Sequence, residues 1–205
     1  LLRAAARARE RLGFAEAVAF LERALALCDG GDAPAGAREL DILLAIGGMR
    51  VALGELDTAV RDLDRAAALA APGWRPSPSE RARALRLAAL ALIEAGDLDA
   101  AEKRLDDALR EVREEGGAEL ASVLYHFSQL RWHQSRHRDA YALAERCLAV
   151  AEASNDAPAI ARGYEMLALA CHSLGEWQEG MEHEEKRQAL ASGALDVASA
   201  FDVHL

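Results

Sequence analysis

The chain is predicted to be all-α, a right-handed α-solenoid of about five antiparallel helical hairpins. Composition gives the first reason: 52% of the 205 residues are hydrophobic but only 5% are aromatic, so Ala and Leu supply most of the apolar content. Both are strong helix formers, only five prolines interrupt them, and runs of β-branched residues that would propose strands are missing. The second reason is a repeated phrase. Leu53-Gly54-Glu55-Leu56-Asp57-Thr58-Ala59, Ala95-Gly96-Asp97-Leu98-Asp99-Ala100-Ala101 and Leu174-Gly175-Glu176-Trp177-Gln178-Glu179-Gly180 share a glycine, an apolar residue two on and a small residue five on. Weaker copies run from Leu12 to Ala17 and from Ser135 to Ala140. The third reason is their even spacing. Turn positions 12, 54, 96, 135 and 175 are separated by 42, 42, 39 and 40 residues, a period that belongs to stacked repeats.

Each phrase lies between two helical patterns. Upstream of the turn stand Leu43, Ile46 and Met49; then Leu85, Ala88, Ala89 and Leu92; then Leu124 and Phe127; then Tyr164, Leu167 and Cys171. Downstream, Ala59, Leu63 and Ala66 repeat as Ala101, Leu105 and Ala108, on one helix face. The spacing predicts helices over 2–11, 14–28, 38–53, 56–71, 78–95, 98–114, 118–134, 138–153, 158–174 and 177–191. Paired, they give repeats over 1–28, 38–71, 78–114, 118–153 and 158–191 of a single domain spanning 1–205. Ser77-Pro78-Ser79-Glu80 is a capping box with proline at the first helical position, the clearest helix start in the chain. Residues 194–205 read as the start of a further helix without a hairpin partner. Together with the absence of an initiator Met, this suggests a piece of a longer protein.

In these positions the chain resembles the tetratricopeptide repeat family. Leu43, Gly47, Gly54, Leu56, Ala59 and Ala66 fill the motif's places, as do Leu85, Ala89, Gly96, Leu98, Ala101 and Ala108. The third copy reads Leu124, Ser128, Ser135, His137, Ala140 and Cys147. The period of about 40 exceeds the family's usual 34. It looks like the long-repeat variety of the sensor regions of maltose-activator-type bacterial signal-transduction ATPases, and of kinesin light chains. In the last copy Gly180, Glu184 and Arg187 stand where small, apolar and small residues belong, so its second helix reads as a polar cap or as out of register.

Several function classes are disfavoured. A net charge of −10, from 34 acidic and 24 basic residues, repels phosphate backbones and anionic lipids, so nucleic acid is not expected as a direct partner. The longest apolar run, Leu87 to Ile93, is seven residues and spans no membrane. Cys28, Cys147 and Cys171 form no CxxC pair, which suits reduced thiols and a cytoplasmic location. No phosphate-binding loop occurs, and His183-Glu184-Glu185 fails as HExxH because residue 187 is Arg. His126, His133, His137 and His172 are the candidate metal ligands, but His133 and His137 straddle a turn, so no metal or cofactor is expected. Cys147 reads as a buried small hydrophobe, and no catalytic residue is expected.

The resemblance implies a concave face lined by first-helix residues not used between repeats. Carried over position by position, that face holds Arg83 and Arg86, then Tyr125, Gln129, Trp132 and His133, then Arg162, Glu165 and His172. Asp41, Leu44, Leu90 and Leu169 accompany them. Tyr, Trp and Arg most often dominate binding free energy. The function implied is a protein or peptide recognition module of a cytoplasmic, bacterial regulator. A small-ligand sensor controlling an adjoining ATPase or transcription-regulatory domain is the second reading, and a scaffold or self-association element the third.

Overall fold

The computed structural model describes residues 1–11, 13–27, 35–70, 73–113 and 116–201, with residues 35 and 191–201 described by backbone alone. Among them are ten helices: α1 Leu2–Glu10, α2 Phe14–Leu25, α3 Ala35–Ala52, α4 Leu56–Ala68, α5 Pro78–Ala95, α6 Leu98–Val112, α7 Gly117–His133, α8 His137–Ala153, α9 Ala157–Leu174 and α10 Trp177–Phe201. They pair in sequence as five antiparallel hairpins. Cys28 and the turn at Leu12 lie outside the described residues, as do residues 202–205.

The turns inside the hairpins repeat one backbone solution. At Gly96 (φ 81°) the chain enters the left-handed region, Gly96 N–H donates to Ile93 O at 3.0 Å and Asp97 N–H donates to Leu92 O at 2.9 Å. That is a Schellman cap, which satisfies two orphan carbonyls at the helix end. Gly54, Gly175 and Ser135 (φ 59°) repeat the same two bonds. Ser135 thus adopts a conformation that strongly favours glycine, and the weak third copy of the sequence phrase is a full structural copy. Asn155 (φ 54°) makes the same cap between hairpins, where α8 gives way to α9. Ser77 caps α5 reciprocally with Glu80: Glu80 N–H donates to Ser77 Oγ at 3.2 Å, and Ser77 N–H to Glu80 Oε2 at 2.7 Å.

Two compact units result, residues 1–112 and 113–205. In the first, α2 packs on α3, α4 on α5, and α3 directly on α5. Ala17, Ala59, Ala66, Ala101 and Ala108 have no exposed surface, as the small-residue positions require for helices to approach closely. Gly47 shows how close that approach is. A Cβ there would stand 2.4 Å from Leu63 Cγ. Ion pairs lie over these seams: Arg104 makes a bidentate pair with Asp64 (2.8 and 2.7 Å), and Arg50 pairs with Glu22 and Asp62.

In the second unit, α7 packs on α8, α8 on α9, α9 on α10, and α7 directly on α9. Ala144, Met166 and Leu167 form a core that the half-buried Tyr125, Trp132, Tyr141, Leu148, Tyr164 and Leu169 surround. Ser128, in the place of Gly47, is fully buried and donates its hydroxyl to Ala140 O at 2.7 Å. Cys147 is fully buried and its thiol donates to Ala121 O at 3.2 Å. Burial pushes that thiol up to about 11, so it is an inert packing group, as its repeat position predicts.

One expectation needs correction: no new helix begins at 194, because α10 continues unbroken through 191–201. The Ser192-Gly193 pair costs helix propensity, but no proline follows to break the Ala-rich segment. No helix among the described residues is long and apolar enough to cross a membrane.

Candidate functional site

The face predicted to bind a partner is most developed in the second unit, where α7 and α9 lie side by side. Residues 125, 129 and 132 recur at spacings of four and three, so they form a row along one side of α7. From α9, the Arg162 guanidinium stands over the Tyr125 ring, 5.9 Å from its centroid. Glu165, one turn further along α9, is near enough for its charge to act on the Tyr125 phenol. Burial and then the Glu165 charge push the Tyr125 phenol up to about 12, with Arg162 opposing. At the other end of the row, Trp132 Nε1–H donates to Ser173 Oγ at 2.8 Å, and the Ser173 hydroxyl donates to Leu169 O at 3.0 Å. His133 is exposed and meets the indole edge-on, with ring centroids 5.2 Å apart.

Gln129, between the two aromatics, is the unusual member. Its Oε1 is buried and has no hydrogen-bond partner. A buried carbonyl left unpaired is destabilising by about 1–3 kcal/mol, so such groups are rare unless something else supplies a donor.

Tyr125, Gln129, Trp132, Arg162 and Glu165 are thus brought to one α7–α9 surface. His172 is not turned the same way. Its ring stacks on Trp177 of α10, with centroids 5.5 Å apart, and crowds the backbone at Gly180, where a Cβ would stand 2.5 Å from His172 Cδ2. Trp132 and Tyr125 also serve the packing of α7 on α9. Arg83 and Arg86 are on α5 of the first unit, Arg83 exposed and Arg86 half-buried. Leu44 is buried in that unit's core.

Two features escaped the sequence. In the first unit, a cavity of about 470 Å³ is lined by Leu2, Ala5, Leu21, Ile42 and Met49, together with Arg9, Arg38 and Asp41. Its walls come from three helices, so no single stretch of sequence announces it. In the second unit, Cys171 of α9 meets Glu179 and His183 of α10. The Glu-x3-His spacing was available in the sequence, but it becomes informative only once Cys171 is known to face it. Beside this group, Arg187 and then Gln188 hold the Glu184 carboxyl down at about 2, so the polar residues of the last copy pair along their own helix.

No known family profile matches the sequence, and neither does any curated protein. Solved structures do match. A putative kinesin light chain from Podosopora anserina with nearly identical TPR-like repeats shares 19% identity at a TM-score of 0.70, over 94% of this chain and 93% of that one. A Rap protein complexed with Competence and Sporulation Factor shares 13% identity at 0.78, over 92% of this chain and 52% of that one. The Rap conjugation gene regulator of plasmid pLS20, in complex with the Phr* peptide, shares 16% identity at 0.75, over 98% of this chain and 53% of that one. The fold is that of tetratricopeptide-like helical repeats; this chain spans about half the length of the two Rap proteins.

Proposed function

We propose that the chain is a protein or peptide recognition module of a cytoplasmic regulatory protein, its five hairpins acting as one repeat domain. Gln129 carries the reading. Its buried, unpaired carbonyl lies between two aromatic side chains on an α7–α9 surface, which suits an extended peptide that brings a backbone N–H to it. Arg162 and Glu165 flank the row with opposite charges, able to receive polar groups of the same ligand. Arg83 and Arg86, on α5 of the first unit, would make partner contacts of their own, and His133 lies at the rim of the α7–α9 surface. A similar fold that holds the Phr* peptide in its own structure adds to this reading. The test is selection of displayed peptides on the purified chain, followed by affinity measurements on Gln129→Ala. Selected peptides that bind that variant as tightly as the parent would remove the argument.

A second reading, the small-ligand sensor, is favoured by one observation. The cavity of about 470 Å³ in the first unit is lined mostly by apolar side chains together with Arg9, Arg38 and Asp41, the composition of a small-molecule site. On this reading the chain is a sensor region like those of maltose-activator-type ATPases and would control an adjoining domain. A metabolite screen by thermal shift, repeated on Ile42→Trp to fill the cavity, separates it from peptide recognition.

A further inference from the structure

The last hairpin holds a set of metal-ligating atoms that the recognition reading does not use. Cys171 Sγ, a carboxylate oxygen of Glu179 and an imidazole nitrogen of His183 all lie within 4.8 Å of one another. Glu179 Oε1 and His183 Nε2 are 3.6 Å apart. Ligands at zinc bond lengths of about 2.0–2.3 Å define a tetrahedron with edges of roughly 3.3–3.8 Å, so this pair already spans one edge. Cys171 Sγ, within 4.8 Å of both, stands at the third corner of the face.

His183 supplies a second, independent sign. Both of its ring nitrogens are buried and neither has a hydrogen-bond partner. A neutral imidazole has one donor and one acceptor, and leaving both unpaired out of water is costly. The ring is held in place between Tyr141 and Tyr164, with centroids 6.4 and 6.0 Å away. Tyr141 O–H also donates to Glu179 Oε1 at 2.7 Å, orienting the carboxylate as outer groups do around metal sites.

We propose that Cys171, Glu179 and His183 bind a zinc ion between α9 and α10. A sulfur, a nitrogen and an oxygen donor suit Zn²⁺ and exclude the all-oxygen shells of Mg²⁺ and Ca²⁺. On binding, the Cys171 thiol gives its proton to solvent and its sulfur bonds the ion; with the Glu179 carboxylate the site is then neutral overall. Three protein ligands leave the fourth position to water or to a donor from a bound molecule. Glu179 is about half exposed, with 46% of its side-chain surface open, so an ion can enter from solvent. The ion would join the two helices of the hairpin whose repeat positions are most polar, at Glu184 and Arg187.

The test uses the whole chain, stripped with a chelator and titrated with Co²⁺ as a spectroscopic stand-in for Zn²⁺. The expected result is one Co²⁺ per chain with thiolate-to-cobalt charge-transfer absorption that Zn²⁺ displaces. That absorption should vanish in Cys171→Ala and persist in Cys147→Ala. Glu179→Gln, whose exposed position spares the fold, should keep its circular dichroism and bind at least tenfold more weakly. Cobalt binding without the thiolate band overturns the proposal, as does a band that survives Cys171→Ala. If Cys171→Ala fails to fold, Glu179→Gln decides: unchanged affinity there rejects the site.

Discussion

The indole N–H of Trp132 donates to Ser173 Oγ at 2.8 Å, which ties the last turn of α7 to the last turn of α9. A side chain expected to meet a partner therefore also holds two repeats together. Trp132→Ala removes a half-buried ring and this bond, and is expected to lower the unfolding free energy by about 2–3 kcal/mol. Trp132→Phe keeps most of the packing and loses the bond, and should cost about 1 kcal/mol. Urea midpoints measure both. Identical midpoints for Phe and Ala would show that the hydrogen bond, and not the ring, carries the contact.

Adjacent glycines in α3 make a sharper test of the packing. A Cβ at Gly47 would meet Leu63 Cγ at 2.4 Å, whereas one at Gly48 would meet nothing within 4 Å. Gly47→Ala is expected to destabilise by about 1–3 kcal/mol through overpacking. Gly48→Ala gains helix propensity and should stabilise by roughly 0.5–1 kcal/mol. Thermal melts of the pair should shift in opposite directions, and shifts of the same sign would mean that the face of α3 is misassigned.

This contrast also shows why some of the structure could be read from sequence and some could not. Hairpin turns are local, so a glycine with an apolar residue two on and a small residue five on announces a Schellman cap and the helix after it; even Ser135 obeyed the period without being glycine. Small seam residues such as Ala59 and Ala101 follow from the same register. The binding face is less local. Whether Trp132 points to solvent or to Ser173 depends on how α7 rotates against a helix that starts 24 residues after α7 ends. His172 shows the same limit, because its place against Gly180 is set by the pitch of one hairpin and not by its position in the motif. Cys171, Glu179 and His183 match no sequence motif, since their convergence needs the α9–α10 contact to exist first.

Tyr125 predicts a pH dependence. Its phenol is pushed up to about 12 in the folded chain, against about 10 for an ordinary tyrosine. Between those values the unfolded chain has lost the proton and the folded chain keeps it. The unfolded state then binds fewer protons, so stability falls as pH rises from about 10 toward 12. Below pH 10 the contribution is fully present. Unfolding midpoints across this window should decline less steeply in Tyr125→Phe than in the parent, and parallel declines would show that Tyr125 is not the titrating group.

The outer seam offers a test of whether charge holds hairpins together. Arg104 and Asp64 pair bidentately between α6 and α4, and both are partly exposed. A double-mutant cycle with Arg104→Gln and Asp64→Asn is expected to give a coupling of about 0.5–1 kcal/mol, shrinking in salt. A coupling indifferent to salt would assign the contact to packing of the arginine stem instead.

Gln129 separates binding from stability more cleanly than any aromatic on the proposed face. Trp132→Ala would weaken a partner and the fold together, so its loss of binding could not be assigned. Gln129→Ala removes a buried carbonyl that has no partner in the free chain, so the folded state loses nothing it was using and sheds an unpaid desolvation penalty. Its midpoint should stay level or rise by up to about 1 kcal/mol, offset in part by the space the amide vacates. If a selected peptide brings a backbone N–H to that carbonyl, the same change should weaken its binding by about 1–2 kcal/mol, or roughly five- to thirty-fold. Arg162→Glu, which reverses the charge over the Tyr125 ring, should weaken peptides selected for acidic groups and spare others. Arg110→Glu, with a highly exposed side chain on α6, should alter neither affinity nor stability appreciably. Lower stability together with unchanged affinity in Gln129→Ala would mean that the amide is a packing group whose hydrogen bonds run through water, and the α7–α9 surface would lose its claim to the peptide.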